Sequence, residues 1–82
     1  MVSTLDQLPI GAGATVSALT FTGSKRRRML DLGFVPGAAV AALQASPWGD
    51  PVAYGVLGTV IALRREDAAH IAISQEGGPV LD

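Results

Sequence analysis

The chain has 82 residues, 49% of them hydrophobic and only 16% charged, which fits one small folded domain and excludes intrinsic disorder. With no cysteine, disulfides, thiol nucleophiles and thiolate-bound metals are excluded, and a formal charge of −1 gives no basic field over the whole domain. No apolar run approaches the roughly 18–20 residues of a membrane span, and residues 1–8 carry no export signal, so a cytoplasmic location without direct membrane insertion is expected.

Thr4-Leu5-Asp6-Gln7 has the capping-box pattern, with Thr4 as N-cap and Gln7 reaching back, but Pro9 limits this helix to a single turn. A turn at Gly11-Ala12-Gly13 leads into a strand over 14–19, with Val16 and Ala18 facing one way and Thr15 and Ser17 the other. Ser24 is the expected N-cap of the one good helix, residues 25–32, which Gly33 ends in the left-handed conformation. Pro36-Gly37 suits the centre of a type II turn, and a weaker, alanine-rich strand covers 38–44.

Ser46-Pro47-Trp48-Gly49-Asp50-Pro51 reads as a hairpin tip. A strand over 52–57 has Val52, Tyr54 and Val56 on one face, and Gly58-Thr59 turns into a strand over 60–63. One helical turn is expected over 65–69 and a last strand over 70–74, with Ile71 and Ile73 pointing in and His70 pointing out. Residues 76–82 read as a flexible tail to a single domain over 1–75. The expected class is mainly β: a small five-stranded SH3-like barrel with one short α-helix and one or two helical turns, closure hiding the sheet edges. Gly13–Leu19 and residues 37–43 share the pattern G-A-x-V-x-A-L, the mark of two strands each entered through a glycine turn.

No catalytic constellation emerges. His70 is the single histidine, the carboxylates are scattered, and neither a complete dinucleotide fingerprint nor a P-loop is present, so no enzyme activity, cofactor or metal site is expected beyond weak transition-metal binding at most. The anomaly is Lys25-Arg26-Arg27-Arg28, four of six basic residues at the start of a helix, where the macrodipole disfavours cations by about 0.3–1 kcal/mol each. Two readings stay open: long stems covering apolar surface, with Asp31 pairing to Arg27 or Arg28, or a patch for an acidic partner. Trp48, the one tryptophan, either folds back over the barrel or serves as a binding anchor. The candidate partner-binding residues are Lys25, Arg26, Arg27, Arg28, Trp48, Arg64 and Arg65.

Leu5-x-x-Leu8 before Gly11, Arg27-Arg28-Met29-Leu30-Asp31-Leu32-Gly33 with Pro36-Gly37, Gly49-Asp50-Pro51 and Ala62-Leu63-Arg64-Arg65 with Ala68 together resemble the FeoA family, from about Thr4 to Ile73. The resemblance implies an SH3-like fold and a cytosolic, non-enzymatic role in bacterial ferrous iron transport beside the membrane transporter FeoB, whose cytoplasmic part is a GTPase. The partner-binding residues are a separate inference, because the resemblance does not locate an interface. Self-association through open barrel edges is a further expectation. The rival readings are a small nucleic-acid-binding barrel, which the net charge disfavours, and a domain related to metal-dependent repressors, whose helix-turn-helix partner is not seen in these 82 residues.

Overall fold

The computed structural model describes residues 2–74. They form one antiparallel sheet of six strands: β1 (Val2–Thr4), β2 (Gly13–Leu19), β3 (Ala39–Ala45), β4 (Val52–Val56), β5 (Thr59–Leu63) and β6 (Ile71–Ser74). A 3-10 turn over Leu5–Gln7 and two helices, α1 (Gly23–Leu32) and α2 (Arg65–Ala68), complete the fold. The spatial order is β1-β6-β2-β3-β4-β5, so among the described residues the sheet is open, with β1 and β5 as its edges. The expected closure into a barrel is not found, because these two strands do not pair with each other. That is one strand more than the five expected. The extra strand, β1, is three residues long and pairs with β6 (Val2↔Ser74, Thr4↔Ala72), a partner at the far end of the sequence. The expected flexible tail over 76–82 lies outside the described residues.

Alternation builds the inner face. Val52, Tyr54 and Val56 of β4 are buried, as are Ile71 and Ile73 of β6. Phe34, Leu5 and Met29 close the core from the loops and helices, and the core contains no buried charged residue among those described. Burying a side chain such as Phe34 contributes about 1.5–3 kcal/mol. The Tyr54 hydroxyl stays in this apolar setting by donating to the Leu5 carbonyl at 3.4 Å.

Strict alternation fails where a strand bulges. Two residues of β2 stand against one of β6 between Val16 and Ala18, so Ser17 is the extra residue. The phase then flips: Ala18 faces solvent rather than sharing Val16's face, and Leu19 turns in. β3 has its own bulge between Ala42 and Gln44. The two copies of G-A-x-V-x-A-L therefore diverge in space, because Leu19 is core whereas Leu43 is exposed.

The helix ends follow local chemistry. Gly33, at φ 115, ends α1 by donating to the Leu30 carbonyl at 3.0 Å while Phe34 donates to Met29 at 3.1 Å, and both Met29 and Phe34 are buried. This is the Schellman pair of bonds with its hydrophobic contact. At the other end α1 starts at Gly23 with Thr22, not Ser24, as N-cap, and no side chain caps it. The expected capping box at Thr4 is also replaced, since the Thr4 hydroxyl donates to the Asp6 carboxylate and makes no cap bond to the backbone. Gly37, at φ 95, sits in the expected Pro36-Gly37 turn, closed by Ala38 donating to Val35 at 2.9 Å. The β4–β5 turn falls on Leu57 and Gly58, both at positive φ, one residue earlier than expected.

Candidate partner-binding surface

The basic run occupies the first two turns of α1, and all four side chains are exposed. Two of the four are engaged. Lys25 Nζ lies 2.8 Å from an Asp67 carboxylate oxygen at the end of α2 and 5.9 Å from the centre of the Phe21 ring. Arg26 Nη1 donates to the Leu19 carbonyl at 3.3 Å, closing the end of β2. These contacts offset the unfavourable dipole in the first turn. The Arg27 and Arg28 guanidiniums make no hydrogen bond or ion pair among the described residues, and the expected pairing with Asp31 does not form. Arg28 instead lines, with Ser24, Lys25, Met29 and Asp67, a shallow cleft between the two helices.

The second group surrounds the β3–β4 hairpin. Its tip is tied by Ser46 N donating to the Pro51 carbonyl at 3.0 Å and Gly49 N donating to the Ser46 carbonyl at 2.8 Å. Arg65 holds it from outside: Nε donates to the Gly49 carbonyl at 2.7 Å, Nη1 to the Asp6 carbonyl at 3.2 Å, and the backbone N–H to the Asp50 carboxylate at 2.9 Å. Arg65 thus acts as a positioning residue, joining the 3-10 turn, the hairpin and α2. Trp48 does not fold back over the sheet. It is 89% exposed on a tip held by those bonds. Arg64, just before α2, is exposed, and its guanidinium makes no hydrogen bond or ion pair among the described residues.

The two groups meet through α2, which binds the hairpin at Arg65 and α1 at Asp67. Sequence reasoning found the cations but missed Asp50 and Asp67, whose separation from their partners along the chain leaves no local signal. The surface offers three unengaged guanidiniums (Arg27, Arg28, Arg64) and one exposed tryptophan, Trp48. His70 takes no part. Its Nδ1 lies 2.9 Å from the Thr20 hydroxyl, and its ring packs at 5.2 Å against Phe21. Among the described residues no group of three or more His, Cys, Asp or Glu is placed to hold a metal ion. Burial pushes the Tyr54 phenol above its ordinary value; Arg65 opposes this, while Asp6 and Asp50 add to it.

The chain and its fold match known proteins. The model of the FeoA domain covers residues 3–75. This chain belongs to the FeoA family. A Fe(2+) transport protein A/Fe(2+) transporter FeoB fusion protein from Porphyromonas gingivalis is 38% identical over 69 residues, which are 84% of this chain and 8% of that protein. The chain therefore spans less than a tenth of that relative. The solution structure of FeoA from Chlorobium tepidum superposes with a TM-score of 0.85 at 32% identity, covering 94% of this chain and 73% of that one. The zinc complex of FeoA from Stenotrophomonas maltophilia, described as a procaryotic SH3 domain protein, gives 0.75 at 31% identity, with 87% and 88% covered. The SH3-like FeoA fold expected from the sequence is thus the fold found, built on six strands.

Proposed function

We propose that this FeoA-family protein is a non-enzymatic, cytoplasmic accessory of bacterial ferrous iron transport that docks on the cytoplasmic GTPase side of FeoB and modulates its assembly, GTPase cycle or iron uptake. The observation that carries this reading is the Porphyromonas gingivalis relative, in which the FeoA and FeoB parts are one polypeptide. Covalent fusion holds two modules at effective concentrations around the millimolar range, which suits modules that act on each other. Among the described residues no helix is long and apolar enough to cross a membrane, in keeping with a protein that reaches the bilayer through its partner.

The docking surface is the α1–α2 face. Arg27, Arg28 and Arg64 meet acidic groups on the transporter, Trp48 fills an apolar recess there, and Lys25, Arg26 and Arg65 hold the platform in shape. Cations at such a rim chiefly raise the association rate, whereas a buried tryptophan chiefly slows dissociation.

The test is a titration against the cytoplasmic GTPase domain of FeoB from the same organism. Trp48→Ala is expected to weaken binding by about tenfold or more, the effect of losing an anchor worth about 1.4–2 kcal/mol. Arg27→Glu/Arg28→Glu is expected to slow association and to flatten its dependence on salt. Undiminished binding by both variants removes this face from the account. Salt-sensitive capture of oligonucleotide, with no affinity for the GTPase domain, replaces the proposal with the nucleic-acid reading.

A further inference from the structure

Charge is confined to one end of the described fold. Among the described residues, every Asp, Glu, Lys and Arg falls in the 3-10 turn, in α1, at Asp50 or within residues 64–67. Residues 32–49 and 51–63 carry none, and they build β3, β4 and β5. The ladder registers align Gly13, Ala41, Gly55 and Val60 in one row across β2, β3, β4 and β5. Gly13, Ala41 and Gly55, all small, make that row the floor of an apolar trough on the outer face, with Val60 at its end. The Leu43 side chain lies over Gly55, where an added Cβ would meet its Cδ1 at 3.3 Å, and Leu57 stands exposed at the hairpin end. The row ends at an edge of the sheet.

That edge is β5, Thr-Val-Ile-Ala-Leu. Edge strands of soluble proteins are ordinarily guarded by a lysine, a proline, a bulge or a covering segment. β5 contains no charge and no proline, its ladder to β4 is unbroken, and Thr59, Val60 and Ala62 are exposed. We propose that β5 is the contact between two copies of this chain, paired antiparallel about a twofold axis through Ile61, so that two six-stranded sheets become one.

Hydrogen-bond parity sets that register. A two-residue turn at Leu57-Gly58, with both φ angles positive, closes the hairpin through the Val56–Thr59 pair. Alternation along the ladder then turns the N–H and C=O groups of Val60 and Ala62 away from β4, toward the open edge. Only antiparallel pairing centred on Ile61 sets Val60 opposite the partner's Ala62 and Ala62 opposite the partner's Val60, so all outward groups of both residues are used. Centring one residue later would place Arg64 opposite the partner's Val60.

Side chains agree with the backbone. On the outer face the bulky Val60 meets a small alanine, and the apolar row continues across the axis. On the inner face the half-buried Ile61 meets its own copy, at the short Cα spacing of about 4.5 Å of a non-hydrogen-bonded pair. No charge is set against a like charge, and Arg64 falls opposite the partner's Gly58. A second copy fits this edge because the strand is its own apolar complement. A five-residue ladder is small beside a standard interface of about 1,600 Å², so the dimer is weak and forms with rising concentration.

Sedimentation equilibrium from micromolar to millimolar protein tests the proposal. The wild type is expected to rise from 8.4 kDa toward twice that mass. Val60→Lys, at a side chain 64% exposed in the monomer, is expected to keep its fold by circular dichroism and to stay monomeric throughout. Because the chain has no cysteine, register is read directly by oxidising an equimolar mixture of Val60→Cys and Ala62→Cys chains. Mixed disulfides are expected to dominate, since opposed hydrogen-bonded residues have Cα atoms about 5.5 Å apart. A wild type that is monomeric at 1 mM, a Val60→Lys variant that still dimerises, or a majority of like-with-like disulfides would each overturn the proposal.

Discussion

Single side chains of one chemical type divide their labour here. Of the six basic residues, Lys25, Arg26 and Arg65 are bound to Asp67, the Leu19 carbonyl and the Gly49 and Asp6 carbonyls. The remaining three have no such partners among the described residues, so they can be reversed in sign at little cost to the fold. Tyr54 is the opposite case, a polar tip inside the core. In the unfolded chain its phenol ionises at its ordinary value of 10.0, whereas burial keeps it neutral to higher pH in the fold. The unfolded state therefore sheds the proton first. The stability this group contributes is complete below pH 10 and drains as pH rises from 10 through the higher folded value. Urea melts between pH 8 and 11 are expected to show Tyr54→Phe less stable than wild type by about 0.5–1.5 kcal/mol at pH 8, from the lost bond to Leu5. The gap narrows above pH 10. A gap that stays constant to pH 11 would mean that the phenol titrates alike in both states.

At the scale of elements, α1 has a well-made end and a poor beginning. Its C-terminus has both Schellman bonds, while its N-cap Thr22 makes no side-chain bond and its first turn holds no acid. Thr22→Asp is expected to add about 0.5–1 kcal/mol by capping a free N–H and facing the dipole. In a domain this small that raises Tm by about 2–8 °C in a thermal melt. An unchanged Tm would show that the first turn is already satisfied. The strands β4 and β6, the Gly33 stop and the Pro36-Gly37 turn were legible in the sequence because each is fixed by local period or by a residue's own φ. The bulges were not, since one inserted residue inverts the two-residue period without altering composition, as Ala18 and Leu19 show. Nor was β1, three residues long with nothing local to mark it, because its register comes entirely from β6. Of the surface, the cations and Trp48 were legible as anomalies. Their grouping depends on Asp67 and Arg65, which act across distances that periodicity does not see. The uncharged run over 51–63 was visible in the sequence, but its meaning depends on β5 lying at an edge.

The whole molecule has two unlike surfaces, a charged one on α1 and α2 and an uncharged one ending at β5. They meet only at Arg64, which directly follows β5, so variants away from that residue perturb them separately. Val60→Lys is expected to leave affinity for the FeoB GTPase domain within about twofold, and Arg27→Glu/Arg28→Glu to leave the monomer–dimer balance of the chain unchanged. Both would be followed by sedimentation of each variant with and without the GTPase domain. Loss of both properties in either variant would show that the surfaces are coupled.

The pairing of Val2 with Ser74 has a topological consequence. Residues at opposite ends of the described chain lie on neighbouring strands, about 4.8 Å apart across the sheet. A polypeptide can therefore enter and leave this domain at almost the same point, like a bead threaded on a loop, without crossing its body. That point is on the β1–β6 side, the edge farthest from β5 in strand order. Splicing the domain into a longer chain, or closing it into a circle with a short linker and reopening it at a surface turn, would leave both the helical face and the β5 edge uncovered.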